Sequence, residues 1–218
     1  MEHDMSEKAM EHLLHRALEY SAHTQKELNS LDAKIKSAGG SAEAYTAAGR
    51  INEYANHLTS AAYCYRAAIH ADSHAYEAKA RLAIVELKSN LNEQALATIS
   101  QLCLDQPEFK FYTLDGTPTS ATTVLADALR ANRKPNVLET YAKAMEIEPK
   151  DGYAKGCYAE SLISVGRLKD ATALEGSIPD TDNFAAIRST LRLANNDPKQ
   201  LPALLGLNHQ AFQVAKHV

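Results

Sequence analysis

The sequence predicts an all-α fold, an α-solenoid of about four helix pairs. Three observations carry that expectation. The first is repetition: residues 42–75 and 76–109 superimpose at a 34-residue offset, and 118–151 joins them once one inserted segment is allowed for. Ala48, Gly49, Ala61, Tyr65 and Ala68 of the first unit fall on Leu82, Ala83, Ala95, Ile99 and Leu102 of the second. Val124, Leu125, Val137, Tyr141 and Ala144 stand at the same offsets in the third, and a fourth unit begins at Gly152 with Tyr158, Ala159 and Ala171. A helical repeat of this length marks a solenoid rather than a closed globule. The second is composition: Ala and Leu are plentiful, Gly and Pro are few, and helix is favoured. The third is punctuation. Helices are expected to stop at Asp72-Ser73, Gln106-Pro107 and Glu148-Pro149. Proline lacks the backbone donor and clashes with the preceding turn.

In chain order, residues 1–40 form an N-terminal helical region. Residues 6–37 contain no Gly or Pro, and Gly39-Gly40 closes the run. Met10, Leu14, Ala17, Ser21, Thr24, Leu28, Leu31 and Ile35 are spaced alternately four and three apart, as in a heptad seam. Such a helix either caps the open edge of the first repeat or associates with a second copy. Residues 41–109 hold the first two repeats, with Ser41 as N-cap. Polar turns at Asn56-His57, Asn90-Leu91-Asn92, Asn132-Arg133-Lys134-Pro135 and Gly166-Arg167 separate the paired helices. Small residues such as Gly49, Ala61 and Ala68 sit where two helices cross closely. Leu58, Tyr65, Leu82, Ile99, Tyr141 and Leu168 fill the space between them.

Residues 110–117, KFYTLDGT, break the spacing. Asp115-Gly116 signals a turn. Thr117-Pro118 reads as an N-cap followed by Pro at the first helical position. The aromatics Phe109, Phe111 and Tyr112 either plug the irregular joint or protrude as a partner contact. Residues 118–180 hold the third and fourth repeats, the last helix being cut short by Glu175-Gly176-Ser177-Ile178-Pro179. Residues 181–218 read as a C-terminal helical cap, with helices near 181–195, 198–206 and 208–217.

Composition argues against several functions. A net charge of −4 offers no overall basic field to nucleic acid or anionic lipid. No apolar run approaches the roughly 18–20 residues of a membrane span. The N-terminus has no signal-peptide core. Cys64, Cys103 and Cys157 lie far apart, and an odd count in a helical chain points to reduced thiols in a cytoplasmic protein. His12 and His15, and His70 and His74, share helix faces, but nothing completes a metal site. No phosphate-binding, dinucleotide or nucleophile-elbow motif is present. The expectation is a non-enzyme with no catalytic residues, metal or cofactor.

The repeat resembles the tetratricopeptide repeat. Tyr45, Ala48-Gly49, Leu58, Ala61, Tyr65, Ala68 and Asp72 of the first unit fall where that family places its aromatic, small and acidic residues. Leu82-Ala83, Ala95, Leu102 and Pro107 do so in the second, with Lys79 replacing the aromatic. Val124, Tyr141, Ala144 and Ile147-Glu148-Pro149 do so in the third, and Tyr158-Ala159, Gly166-Arg167-Leu168 and Ala171 in the fourth. The resemblance implies a right-handed superhelix whose first helices line a concave channel. A peptide or helix of a protein partner lies in such a channel.

Transferring the family's channel positions gives a candidate binding set of Arg50, Tyr54, Arg81, Lys88, Arg130 and Tyr153. The cations form a stripe that could fork onto carboxylates while the tyrosines offer contact area. The alternative is that they are solvated charges balanced by Glu43, Glu53, Glu77 and Glu160. Thr46 replaces the lysine of subfamilies that clamp a C-terminal carboxylate, so that mode is not expected. The functional expectation is a protein-interaction scaffold, adaptor or chaperone. The other readings are a homo-oligomeric structural protein built through the N-terminal helix or the channel, and a peptide-sensing regulator.

Overall fold

The computed structural model describes residue 26 and residues 29–37 and 39–196. Residues 29–37 are helical (α1). Then come α2 (Ala42–Tyr54), α3 (Leu58–Ala71), α4 (Tyr76–Lys88) and α5 (Asn92–Asp105). A small hairpin follows, β1 (Lys110–Tyr112) and β2 (Pro118–Ser120). The chain continues as α6 (Ala121–Ala131), α7 (Val137–Ile147), α8 (Gly152–Ser164), α9 (Leu168–Thr172) and α10 (Ala185–Asn196). Short 3-10 turns occupy Glu175–Ser177 and Asp182–Phe184. Most of the N-terminal heptad seam, and the helices expected at 198–206 and 208–217, lie outside the described residues. The chain forms two compact units that divide within α4, between Val85 and Glu86.

The same turn closes four of these helices. After α2, α4, α6 and α8 the residue two past the helix end is left-handed: Asn56, Asn90, Arg133 and Gly166, with φ of 59°, 58°, 53° and 78°. The next backbone N–H reaches back to the third-last helical carbonyl. These bonds are His57 N to Asn52 O at 2.8 Å, Leu91 N to Glu86 O at 2.8 Å, Lys134 N to Leu129 O at 2.9 Å and Arg167 N to Leu162 O at 2.9 Å. This is the Schellman closure, which satisfies carbonyls that a helix end otherwise leaves bare.

In the first unit, Ile35, Tyr45, Ala61, Cys64, Tyr65, Ala68, Leu82 and Val85 pack together. Gly49 permits the close crossing of α2 and α3, since a Cβ there would stand 2.4 Å from the Tyr65 ring. On α1, Asp32 accepts the Tyr45 hydroxyl at 2.7 Å. That bond, with burial, holds the Tyr45 phenol up at about 12. In the second unit Tyr141, Ala159, Leu162, Leu168, Ala171, Ile178, Phe184, Ile187 and Leu191 form the core. Phe184 lies on Gly156, where a Cβ would meet its ring at 2.3 Å.

One helix start differs from the expectation. Pro118 lies in β2, antiparallel to β1 and opposite Tyr112, and α6 begins at Ala121 with Ser120 as its cap. The cause is Asp151. This carboxylate is fully buried and accepts Thr119 Oγ1 at 2.6 Å, Thr123 Oγ1 at 2.8 Å and Ala154 N at 2.9 Å. Those bonds draw Thr119 into the hairpin instead of a first helical turn. Of the inserted aromatics, Phe111 is buried and stacks on Phe109 at 6.1 Å, while Tyr112 is exposed. The segment thus both fills the joint and presents a side chain outward.

Candidate functional site

The first helix of each pair carries the candidate residues, and each is placed by what its helix packs against. On α2, the side bearing Tyr45 and Gly49 faces α1 and α3, which leaves Ala47, Arg50, Ile51 and Tyr54 exposed. Ile51 and Tyr54 are 71% and 82% exposed, one helical turn apart. The Arg50 guanidinium is half exposed, its nearest carboxylate being Glu77 at 3.9 Å, beyond hydrogen-bond reach.

Arg81 belongs elsewhere. Its side chain is 1% exposed. Nε donates to Glu77 Oε1 at 2.7 Å and Nη1 to Glu53 Oε2 at 3.4 Å. Glu53 also accepts the Tyr65 hydroxyl at 2.9 Å. Arg81 was expected to face a partner; packing from α2 and α3 instead turns it inward as a strut between α2 and α4. The two candidate arginines of the first unit, Arg50 and Arg81, nonetheless both approach Glu77.

Lys88 is exposed on the last turn of α4. Arg130, on α6, is partly exposed and doubly paired. Nη1 donates to Glu160 Oε2 at 2.6 Å and Nη2 to Asp127 Oδ1 at 3.5 Å. Asp127 also accepts the Tyr141 hydroxyl. Burial pushes the Asp127 carboxyl above its ordinary value, against the pull of Arg130, Tyr141 and Tyr153. Tyr153 shows 41% of its surface and packs on Phe184 at 6.0 Å. Burial, with the Asp127 charge, drives its pKa upward. Arg130 and Tyr141 therefore meet at Asp127.

At the start of the third repeat Thr119, Thr122 and Thr123 are buried. Two features escaped the sequence reading: Ile51, which widens the exposed face of α2, and Asp127, which organises the second unit. An apolar residue on a helix's polar side is a weak signal for the first. A carboxylate amid the apolar run of α6 is one for the second.

Burial raises all three thiols, Cys64 and Cys103 to about 11 and Cys157 to about 12. They stay protonated at neutral pH and are poor nucleophiles. Among the described residues no three His, Cys, Asp or Glu side chains converge as a metal site requires, and no helix is long and apolar enough to cross a membrane.

Solved structures show the same arrangement of paired helices. The chain superimposes with a TM-score of 0.57 on a thermophilic TPR protein of Thermus thermophilus, at 18% identity, covering 75% of this chain and 87% of that one. The fold is that of the tetratricopeptide repeat (TPR). YrrB, a TPR protein with an unusual peptide-binding site, matches this chain with a TM-score of 0.56 at 16% identity, over 85% of this chain and 97% of that one. A TPR protein from Parabacteroides merdae matches with a TM-score of 0.51 at 13% identity, over 78% and 67%. No family model matches the sequence, and no curated protein matches it.

Proposed function

We propose that this TPR chain is a non-enzymatic interaction module, a scaffold or adaptor that binds a peptide or helix of a protein partner. The observation that carries the reading is the outward stripe Arg50, Ile51 and Tyr54 on α2. Two large apolar side chains and an arginine outside hydrogen-bond reach of its nearest carboxylate stand together on one helix face. Such a face suits a segment in which an acidic residue neighbours bulky apolar ones, because Arg forks onto carboxylates and Tyr gives area at low entropy cost. Lys88, Arg130 and Tyr153 make a candidate set of their own in the second unit, with Arg130 held in place by Glu160. Arg81 supports the first unit from within and does not touch the partner.

The test is selection of peptides from a random display library on the intact chain. The expected consensus pairs Asp or Glu with a large apolar residue. Arg50→Glu should weaken the selected peptides by about tenfold or more, a hot-spot loss. Selected peptides that bind Arg50→Glu as well as the native chain would sink this reading.

A further inference from the structure

We propose that the outer stripe of α2 receives residues 1–25 of a second copy of this chain. The inference rests on the peptide-binding reading and names the partner. Three observations lead to it.

The first is exposure. Among the described residues, Ile51 and Tyr54 are the exposed large hydrophobic side chains that stand within one turn of a single helix. Ala47 extends the strip by a turn. The second is direction. Tyr45 faces α1 through its bond to Asp32. At about 100° per residue, Tyr54 lies about 180° further round α2. Residues 1–25 lead into α1, which lies on the far side of α2 from the stripe. The stripe is therefore turned away from α1 and left open on the outer side of α2.

The third is complementarity. Residues 1–25 carry five acidic residues, Glu2, Asp4, Glu7, Glu11 and Glu19, against Lys8 and Arg16. In the sequence, Glu11, Leu14 and Leu18 follow one another at spacings of three and four. An acid followed closely by two leucines matches Arg50 beside Ile51 and Tyr54. Glu11 would meet the Arg50 guanidinium, and the leucines would cover the exposed isoleucine and tyrosine.

Sedimentation velocity of the full chain over a wide concentration range tests this. Self-association is expected, and added synthetic peptide of residues 1–25 should reverse it. The double variant Ile51→Asp, Tyr54→Lys should remain monomeric with an unchanged circular dichroism spectrum, since both side chains are exposed. A Glu11→Lys chain should associate weakly, and Glu11→Lys combined with Arg50→Glu should recover. Association that persists in the double variant overturns the inference. A native chain that is monomeric at every concentration also overturns it, whether its stripe is bare or covered by its own N-terminus. A monomeric chain that still binds selected peptides through Arg50 removes the second copy as partner and leaves the peptide-binding reading intact.

Discussion

The two units solve one problem in different ways. Each sets a carboxylate between paired helices, buried for Glu53 and partly exposed for Asp127, and gives it a tyrosine hydroxyl, from Tyr65 and Tyr141 respectively. In the first unit the balancing cation comes from the next helix pair, is 1% exposed, and is shared with Glu77. In the second the cation sits three residues along the same helix, remains partly exposed, and reaches forward to Glu160. A middle case, Glu86, accepts Thr98 Oγ1 at 3.0 Å. The difference teaches that such an acid can be used to lock an arginine away or to hold one at the surface. Only the second use leaves a guanidinium within a partner's reach.

The largest expected effect breaks the comparison if it fails. Arg81→Met should cost about 3–5 kcal/mol, because Glu53 is left buried without its cation. Arg130→Met should cost about 1–2 kcal/mol, since water reaches that site. Urea denaturation midpoints read both, and equal losses would erase the distinction between the two knots. Next, Gly49→Ala should destabilise by about 1–3 kcal/mol by driving a methyl into the Tyr65 ring. A Tyr65→Leu background should relieve part of that loss.

Acid sharpens the contrast. The folded Asp127 carboxyl binds its proton more tightly than the 3.8 of an ordinary aspartate. The folded state thus holds more protons just above that pH. This group's contribution to stability is therefore fully present below 3.8 and is lost as pH rises through the raised value. Asp127→Asn should remove that slope, seen as a midpoint difference from the native chain that shrinks toward acid pH. A difference that widens toward acid would reverse the assignment. The smallest effect concerns the turns. Arg133→Gly should stabilise by about 0.5–1 kcal/mol, because a side chain at left-handed φ is strained. Asn56→Gly, where asparagine already tolerates that conformation, should be close to neutral in the same thermal melts.

The helix pairs were legible because a fixed 34-residue period and turn residues such as Asn56, Asn90 and Gly166 are written into the chain. The polar knots were not. Glu53, Glu86 and Asp127 each stand one place earlier in their unit than the one before, so no repeat alignment lines them up. The start of α6 was misplaced because Thr117-Pro118 has the local form of a helix entry, while the deciding partner, Asp151, lies a whole helix pair away. Arg81 was assigned to a channel by family position. Its burial depends on Glu53 and Tyr65, which lie far from it in the chain. The exposure of Arg50 and Tyr54, by contrast, follows from the face of their own helix.

The hairpin has a consequence for how such a chain can change over time. Ala121 N bonds Phe109 O at 2.9 Å, so the strand pair leaves and re-enters the helical array through a single doorway. Behind that doorway Phe111 and Thr119 are buried at the base, while Asp115 and Gly116 at the tip are exposed. Sequence added at the tip would lengthen an appendage without moving a helix. That makes it a graft site, where a reporter epitope or a new recognition loop could be spliced in and the repeats would keep their register.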